Sequence, residues 1–156
     1  MSDEVWDRHA NPWSVWTRVV SLPPLLAAIW SHTSLGWLSL VPLAAVAGWL
    51  WLNPRLFPPP ASTKSWASRA TLGERVWLNR HRIAIPDHHQ RVAAILAAAA
   101  GAGFVVAVAG AILNDLLLTL LGGVVSWFAK MWFCDRMVWL YDDMKDQEPA
   151  YRRWSR

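Results

Sequence analysis

"VAAILAAAAGAGFVVAVAGAIL", residues 92–113, is the stretch of sequence that decides the fold. Its 22 residues carry no charge and no strongly polar side chain. An α-helix needs about 20 consecutive apolar residues to cross the hydrocarbon core of a bilayer. The stretch therefore predicts a transmembrane helix, and the rest of the chain is interpreted outward from it.

Two further stretches predict spans by the same criterion. Residues 35–52, "LGWLSLVPLAAVAGWLWL", are uncharged, and residues 116–133 contain only Lys130, close to one end. A lysine there can extend its long side chain to the headgroups. Asn114 and Asp115, the only residues between 113 and 116, predict a tight hairpin turn with a polar cap for the following helix.

Residues 13–30, "WSVWTRVVSLPPLLAAIW", are the least regular candidate span. They contain Arg18 near the start and the pair Pro23-Pro24 in the middle. Proline disfavours a straight helix, and an arginine is tolerated only where it can reach the interface. The stretch predicts a kinked span, with a re-entrant or interfacial helix as the alternative.

Positive charge is distributed very unevenly along the chain. All 15 Lys and Arg residues lie in residues 8–18, 55–91 and 130–156, whereas the turns at 31–36 and 114–115 have none. Lys and Arg accumulate in cytoplasmic loops, and the three basic segments share one side only if the spans between them are even in number. The pattern predicts four spans in the plasma (inner) membrane with both termini in the cytoplasm.

Composition agrees with a membrane protein. The chain is 54% hydrophobic and 17% charged, with 13 Trp, whereas soluble domains carry about 25% charged residues. The pI of about 9.8 predicts contact with anionic lipid headgroups. It does not indicate nucleic acid binding, because the basic residues form no stripe on a recognition element. One cysteine excludes an internal disulfide, and the acidic start "MSDEVWD" predicts that no signal peptide is cleaved.

The loop after the second span carries its own helix. Pro54 and the proline run at 58–60 predict that the span ends by residue 52. Residues 63–80 then return to helical spacing, with an apolar stripe typical of a helix lying on the membrane surface. The stripe consists of Trp66, Ala70, Gly73 and Trp77. Thr71 and Glu74 have the spacing of a capping box, so the pattern leaves open whether this is one helix or two.

"NRHRIAIPDHHQR", residues 79–91, contains three histidines and raises the question of a metal site. Asp87 and Gln90 have the form of a capping box at the start of the third span. Adjacent helical residues point about 100° apart, so His88 and His89 are not expected to bind one ion. His81 has no partner at helical spacing. The segment predicts a polar helix entrance, with neither a metal nor another cofactor.

The fourth span is predicted to continue as a cytoplasmic helix over residues 134–146. Its charges are expected to pair with Arg18, Arg55, Glu74 and Arg75. Two interpretations remain besides a structural ion-pair network. One is a polar pocket for a lipid headgroup or another anion, and the other is an acid/base pair that uses Asp135.

We name the predicted functional surface the polar-aromatic face. Its members are Asn11, Trp13, Arg18, Asn53, Arg55, Trp66, Glu74, Arg75, Trp77, Asp135, Arg136, Trp139 and Asp142. It predicts a non-enzymatic protein that binds lipid headgroups or a partner protein. The alternative is an enzyme acting on a lipid-linked substrate, with Asp135 and His81 or His88 as acid/base groups, although no complete catalytic set supports it.

Small residues predict close helix packing. Ala99, Gly103, Ala107 and Gly110 lie on one face of the third span, and Gly122-Gly123 lie within the fourth. Small residues at this spacing let helices approach closely. The contact is expected either within the chain or between copies in a homo-oligomer.

Four segments resemble the signature of an uncharacterised family of small bacterial and archaeal membrane proteins, a domain of unknown function. They are "HANPWSVWTR" (9–18), "WLNPRLFPPP" (51–60), "WASRATLGERVWL" (66–78) and "DRMVWLY" (135–141). The resemblance implies no activity, substrate or cofactor. Length and Trp content are also similar to the tryptophan-rich sensory proteins of the translocator family, without a motif match. The chain is thus predicted to be one all-α domain, residues 1–156: a four-helix transmembrane bundle with a cytoplasmic surface helix.

Overall fold

The computed structural model describes residues 2–155, and within that range it contains helices and no strand. The predicted all-α class is therefore confirmed. In chain order the helices are α1 Asp3–His9, α2 Pro12–Val19, α3 Leu22–Trp30, α4 His32–Leu35, α5 Leu40–Leu56, α6 Trp66–Leu78, α7 Asp87–Leu113, α8 Leu116–Met144 and α9 Pro149–Arg152. A 3-10 turn, Gly36–Ser39, connects α4 to α5.

The hairpin of α7 and α8 forms the centre of the fold. Asn114 ends α7 in the left-handed conformation (φ 60°), and the Asp115 side chain caps α8 by accepting from the Leu118 amide at 2.9 Å. The tight turn predicted at these two residues is therefore confirmed. At Gly103 the helices touch through backbone, because an added Cβ would lie 2.6 Å from the Ser126 nitrogen. The small-residue face of α7 thus packs within the chain.

Three helical stretches are long and apolar enough to cross a membrane: Pro12–Leu56, Asp87–Leu113 and Leu116–Met144. The first includes the whole run from α2 to α5 and folds back on itself. Near one end of this hairpin the Ser14 hydroxyl donates to the Asn53 side-chain oxygen at 2.7 Å. Toward the other end Pro24 and Ala45 line one crevice between the two arms. Helices α2 and α3 therefore run antiparallel to α5.

The predicted kink in the first arm is a break between α2 and α3 at Val20–Ser21. Pro23 and Pro24 lack N–H groups and cannot bond to the carbonyls of Val19 and Val20 four residues earlier. The two prolines fit the first turn of α3, where N–H groups have no partner within the helix. The break therefore precedes the proline pair.

The second arm differs from the predicted span 35–52. It forms α5 over Leu40–Leu56, and Pro54 lies inside the helix. Pro54 removes only the hydrogen bond to the Leu50 carbonyl, in the last turn, where a single lost bond is tolerated. The Arg55 guanidinium also donates to the Trp51 carbonyl. The expectation that Pro54 ends the helix was wrong.

Helix α6 is a single helix, and one side of it packs against α8. The Ser65 hydroxyl caps it, and Thr71 bonds to the Ala67 carbonyl, so no second start forms. Seven of its residues are buried, and its main neighbour is the second half of α8. Gly73 is needed there, because an added Cβ would collide with the Met137 backbone. The predicted membrane-surface stripe packs against protein instead.

Helix α8 runs unbroken from Leu116 through Gly122-Gly123 to Met144, and so includes the predicted extension. Its 29 residues span about 43 Å, which exceeds the ~30 Å hydrocarbon core. The C-terminal segment folds back beside this extension. Tyr151 of α9 is buried and its hydroxyl accepts from the Asn79 amide at 3.0 Å.

Candidate functional site

A cavity of about 290 Å³ lies where α1, α2, α6 and α8 meet. Its apolar walls come from α2, α3, α6 and α8. Its polar lining consists of His9, Arg18, Thr71, Glu74, Ser126 and Lys130. We call it the Arg18 cavity, and it contains two members of the predicted polar-aromatic face, Arg18 and Glu74.

Arg18 is the cation that dominates this cavity. Its Nε donates to the Ser14 carbonyl at 3.0 Å, and its Nη1 donates to Nε2 of His9 at 2.7 Å. Within residues 2–155 no carboxylate forms an ion pair with its guanidinium. A guanidinium has five N–H donors. Arg18 therefore keeps a full positive charge and spare donors at the cavity wall.

His9 is held neutral beside it. Burial, then the positive charge of Arg18 and to a smaller extent that of Lys130, lower the pKa of His9 to about 4, while the Glu74 carboxylate opposes the shift. A neutral imidazole that accepts at Nε2 carries its proton at Nδ1. That Nδ1 is buried and has no hydrogen-bond partner within residues 2–155. His9 thus adds no charge to the cavity and leaves one donor unused.

Glu74 and Lys130 nearly cancel each other. The Lys130 Nζ lies 3.3 Å from the Glu74 carboxylate, and the Lys130 side chain is half exposed. With this pair neutralised and His9 uncharged, the charge of Arg18 remains. The cavity therefore has a net positive charge that favours an anion.

A second concavity, of about 700 Å³, runs between α3 and α8. We call it the α3–α8 groove. Its lining extends along α8 from Leu116 to Phe128 and is almost wholly apolar. Gly123 keeps it open, because an added Cβ there would press on Leu26 of α3 at 3.2 Å. Leu22 and Trp127 line both the groove and the Arg18 cavity, so the two are adjacent.

Trp127 is positioned at this junction by the break in the first arm. Because Pro23 lacks an N–H, the Val19 carbonyl has no partner in the helix. It accepts instead from the Trp127 indole Nε1 at 3.2 Å. The break between α2 and α3 therefore fixes the wall that the cavity and groove share.

Asn11 and Asn53 of the polar-aromatic face hold the backbone together instead of facing a ligand. The Asn11 side chain caps α2 and donates to the Pro58 carbonyl at 2.9 Å. Asn53 is fully buried and donates to the Thr17 hydroxyl at 2.7 Å. Both join the two arms of the first hairpin.

Charged members of the face find other partners than the sequence predicted. Asp142 accepts from Arg69 at 2.7 Å and from Lys145 at 2.8 Å, and Asp135 accepts from the Trp66 indole at 3.1 Å. Neither pairs with Arg18, Arg55, Glu74 or Arg75, so that expectation was wrong. Arg136 lies over the Trp139 ring at 4.5 Å.

Arg55 and Arg75 lie against aromatic rings. Arg55 is 4.3 Å from the Trp51 ring centroid. Arg75 pairs with Asp3 and lies 4.0 Å from the Trp154 centroid. The contacts of Arg75 tie the C-terminal segment and α1 to α6.

Two of the tryptophans of the polar-aromatic face pack against other rings, and two are exposed. Trp66 stacks on Trp16 with centroids 5.5 Å apart, and Trp77 meets Phe133 edge-on at 5.5 Å. Trp13 and Trp139 are more than half exposed.

The histidine segment differs from its sequence interpretation. Pro86, not Asp87, caps α7, and no side chain forms the predicted capping box. The rings of His88 and His89 lie 4.2 Å apart. His89 is buried, and its Nε2 lies 2.7 Å from Asp143. One ligand-type atom from each of these three side chains lies within 4.8 Å of the others, so they could hold a metal ion, which the sequence interpretation did not expect.

The candidate acid/base residues Asp135, His81 and His88 do not contact one another. Asp135 bonds to Trp66, the His88 ring lies tilted against that of His89, and His81 lies exposed in the turn after α6. Sequence reasoning missed His9 and Lys130 as cavity residues. Lys130 had a signal, because Ser126, Lys130 and Cys134 recur every four residues on one face of α8. His9 had none, because it reaches the cavity only through tertiary packing.

The fold and the site define an all-α protein with helices that could cross a membrane and a cation-lined cavity beside them. The chain belongs to the family of unknown function DUF6653, which it matches over residues 1–156. Neither a curated protein nor a solved structure matches it.

Proposed function

We propose that this protein is a four-span plasma-membrane protein that holds the headgroup of an anionic lipid in the Arg18 cavity. The observation that carries the proposal is the guanidinium of Arg18, which lines a cavity and has no carboxylate partner within residues 2–155. An uncompensated, partly buried charge is costly. An anion in the cavity would offset that cost.

Four crossings are supported by the antiparallel first hairpin. The bond between Ser14 and Asn53 brings the start of α2 beside the end of α5. The second hairpin, α7 and α8, likewise returns to the side from which it starts. Among residues 2–155 the Lys and Arg residues lie toward these two open ends, so the positive-inside rule favours a cytoplasmic location for both termini.

Tryptophan exposure supports a bilayer boundary at the level of the cavity. Trp13, Trp51 and Trp132 are each more than 60% exposed and lie toward the open ends of the hairpins. Indole rings favour the headgroup zone of a membrane. Arg18 and Lys130 lie within two turns of Trp13 and Trp132 along their helices, so the cavity is at headgroup depth.

The donors suit a phosphate or carboxylate. Arginine recognises such groups through planar paired donors. Lys130 is a further donor that lines the same cavity. The Glu74 carboxylate disfavours a second negative charge nearby, so one headgroup is expected.

Native mass spectrometry of the full chain in mild detergent tests this proposal. After reconstitution with phosphatidylglycerol, we expect one retained lipid, and no retention of phosphatidylcholine beyond nonspecific adducts. Arg18→Gln should lower retention at least tenfold, since a charged hydrogen bond contributes about 1.5–3 kcal/mol.

Arg82→Gln is the matched control. Arg82 is exposed in the turn after α6, and its replacement removes the same charge without touching the cavity. It should retain lipid like the wild type. Equal retention by Arg18→Gln and the wild type would contradict the proposal.

A further inference from the structure

The position of the α3–α8 groove relative to the Arg18 cavity suggests what kind of lipid is bound. The groove is apolar and follows α8 from Leu116 to Phe128, a length of about 18 Å. The end of the groove near Phe128 meets the cavity at Leu22 and Trp127. One ligand could therefore occupy both.

We infer that the groove holds an acyl chain of the same anionic lipid whose headgroup lies at Arg18. This inference rests on the proposed function and adds the class of ligand, which is a phosphate- or carboxylate-bearing amphiphile with at least one long, flexible chain. A site with one charged end and one apolar channel matches such a molecule in both chemistry and order. A free anion would leave the groove without a role.

The groove is a feature of specific residues and not simply a gap between helices. Gly123 has no side chain, and a Cβ built there would lie 3.2 Å from the Leu26 side chain of α3. Trp127 is held by its bond to the Val19 carbonyl at 3.2 Å. The wall between headgroup and chain is therefore fixed before a lipid arrives.

Photo-crosslinking locates the chain directly. The probe is a single-chain alkyl phosphate with a diazirine in mid-chain, added to the full-length protein in nonionic detergent. After illumination and peptide mapping, we expect labels on residues 22–30 and 116–128 at least tenfold above those on the outward face of α7, which includes Ile95 and Val105.

Gly123→Leu should lower groove labelling at least tenfold, because its side chain fills the space beside Leu26. Gly101→Leu is the control, since nothing lies within 4 Å of a Cβ there. Leu120→Trp, at an exposed position of the groove lining, narrows the groove without entering the α7–α8 contact. It should also lower labelling and serves if Gly123→Leu does not fold.

The outcomes separate the two proposals. Labelling spread evenly over all lipid-facing helices, or equal groove labelling by the matching uncharged alkyl alcohol, would overturn the inference while leaving the headgroup site intact. Groove labelling unchanged by Arg18→Gln would likewise overturn the inference, whereas equal retention of phosphatidylglycerol by Arg18→Gln and the wild type would overturn the headgroup site itself. Loss of labelling in both Gly123→Leu and Arg18→Gln supports the two together.

Discussion

The two halves of this molecule are held together in different ways. The apolar half comprises α3, α5, α7 and residues 116–133 of α8, and its central contact is backbone against backbone at glycines. The polar half comprises α1, α6, α9 and residues 134–144 of α8. It packs around a hydrophobic core that includes Leu72, Val76, Met137 and Leu140, and ion pairs, indole bonds and cation–π contacts add to this core. In lipid, helices gain little stability from burying apolar side chains, so close packing of their backbones has to supply it. In the polar half, side-chain chemistry specifies the partners.

A large loss of stability is expected where backbones touch in the apolar half. Gly103→Ala would place a Cβ 2.6 Å from the Ser126 nitrogen and 2.9 Å from the Gly122 carbonyl oxygen. Neither helix can shift without losing the hairpin contact. We expect a loss of about 3 kcal/mol, measured as the unfolding free energy in mixed micelles.

Gly101→Ala is the control for this contrast, two residues away on the same helix and with open space around its Cβ. It should leave stability unchanged or raise it by up to about 1 kcal/mol, since alanine is the better helix former. If both variants lost stability equally, close packing of α7 on α8 would not be the cause.

The next effect tests desolvation at the junction of the halves. His9 has a pKa of about 4 in the folded protein, below its ordinary 6.5. As the pH falls through 6.5, His9 binds a proton in the unfolded chain but not yet in the folded protein. Protonation of His9 therefore leaves the free energy of unfolding unchanged above pH 6.5 and lowers it progressively between pH 6.5 and pH 4. We expect a loss on the order of 2 kcal/mol, after allowance for partial exposure.

His9→Gln keeps an acceptor for Arg18 and removes the titration. Subtracting its unfolding free energy from that of the wild type, at each pH from 4 to 8, isolates the contribution of His9. Parallel pH curves for the two proteins would show that His9 is not desolvated.

A smaller effect is expected at the hydrogen bonds that join α2 to α5. Asn53→Ala leaves the buried Ser14 hydroxyl without its acceptor. The expected loss is about 1–2 kcal/mol. A double-mutant cycle with Ser14→Ala measures the shared bond, and additive losses would mean that the two side chains do not interact.

The smallest effect is expected at the exposed edge of the polar half. The Glu4–Arg8 pair lies one helical turn apart, and the Glu4 side chain is 72% exposed. Such pairs contribute little because water screens them. Glu4→Gln should change the unfolding free energy by less than about 0.5 kcal/mol, and a loss above 1 kcal/mol would show that α1 depends on this charge.

The apolar half was the more predictable of the two. Hydropathy located α7 and α8, and the turn at Asn114–Asp115 followed from two polar residues between apolar runs. The end of α5 was missed because a proline in the last turn of a helix costs only one hydrogen bond.

The polar half was predicted in composition but not in pairing. Arg18 and Glu74 were named as site residues, and the structure brings them to one cavity. Their neighbours were not foreseen, because side-chain partners separated by more than 50 residues, such as Glu74 and Lys130, depend on how helices cross. Helical periodicity shows which residues share a face but not which helix that face meets.

Cysteine accessibility tests most directly whether the polar half lies on the cytoplasmic side of a four-span bundle. With Cys134→Ala as background, single cysteines are placed by Ser2→Cys, Ser34→Cys and Ala61→Cys and treated with a membrane-impermeant maleimide. We predict labelling of Ser34→Cys in intact cells, and of the other two variants only after permeabilisation. Labelling of the Ser2→Cys and Ala61→Cys proteins from opposite sides would show that residues 12–56 cross the membrane once and would contradict the four-span arrangement.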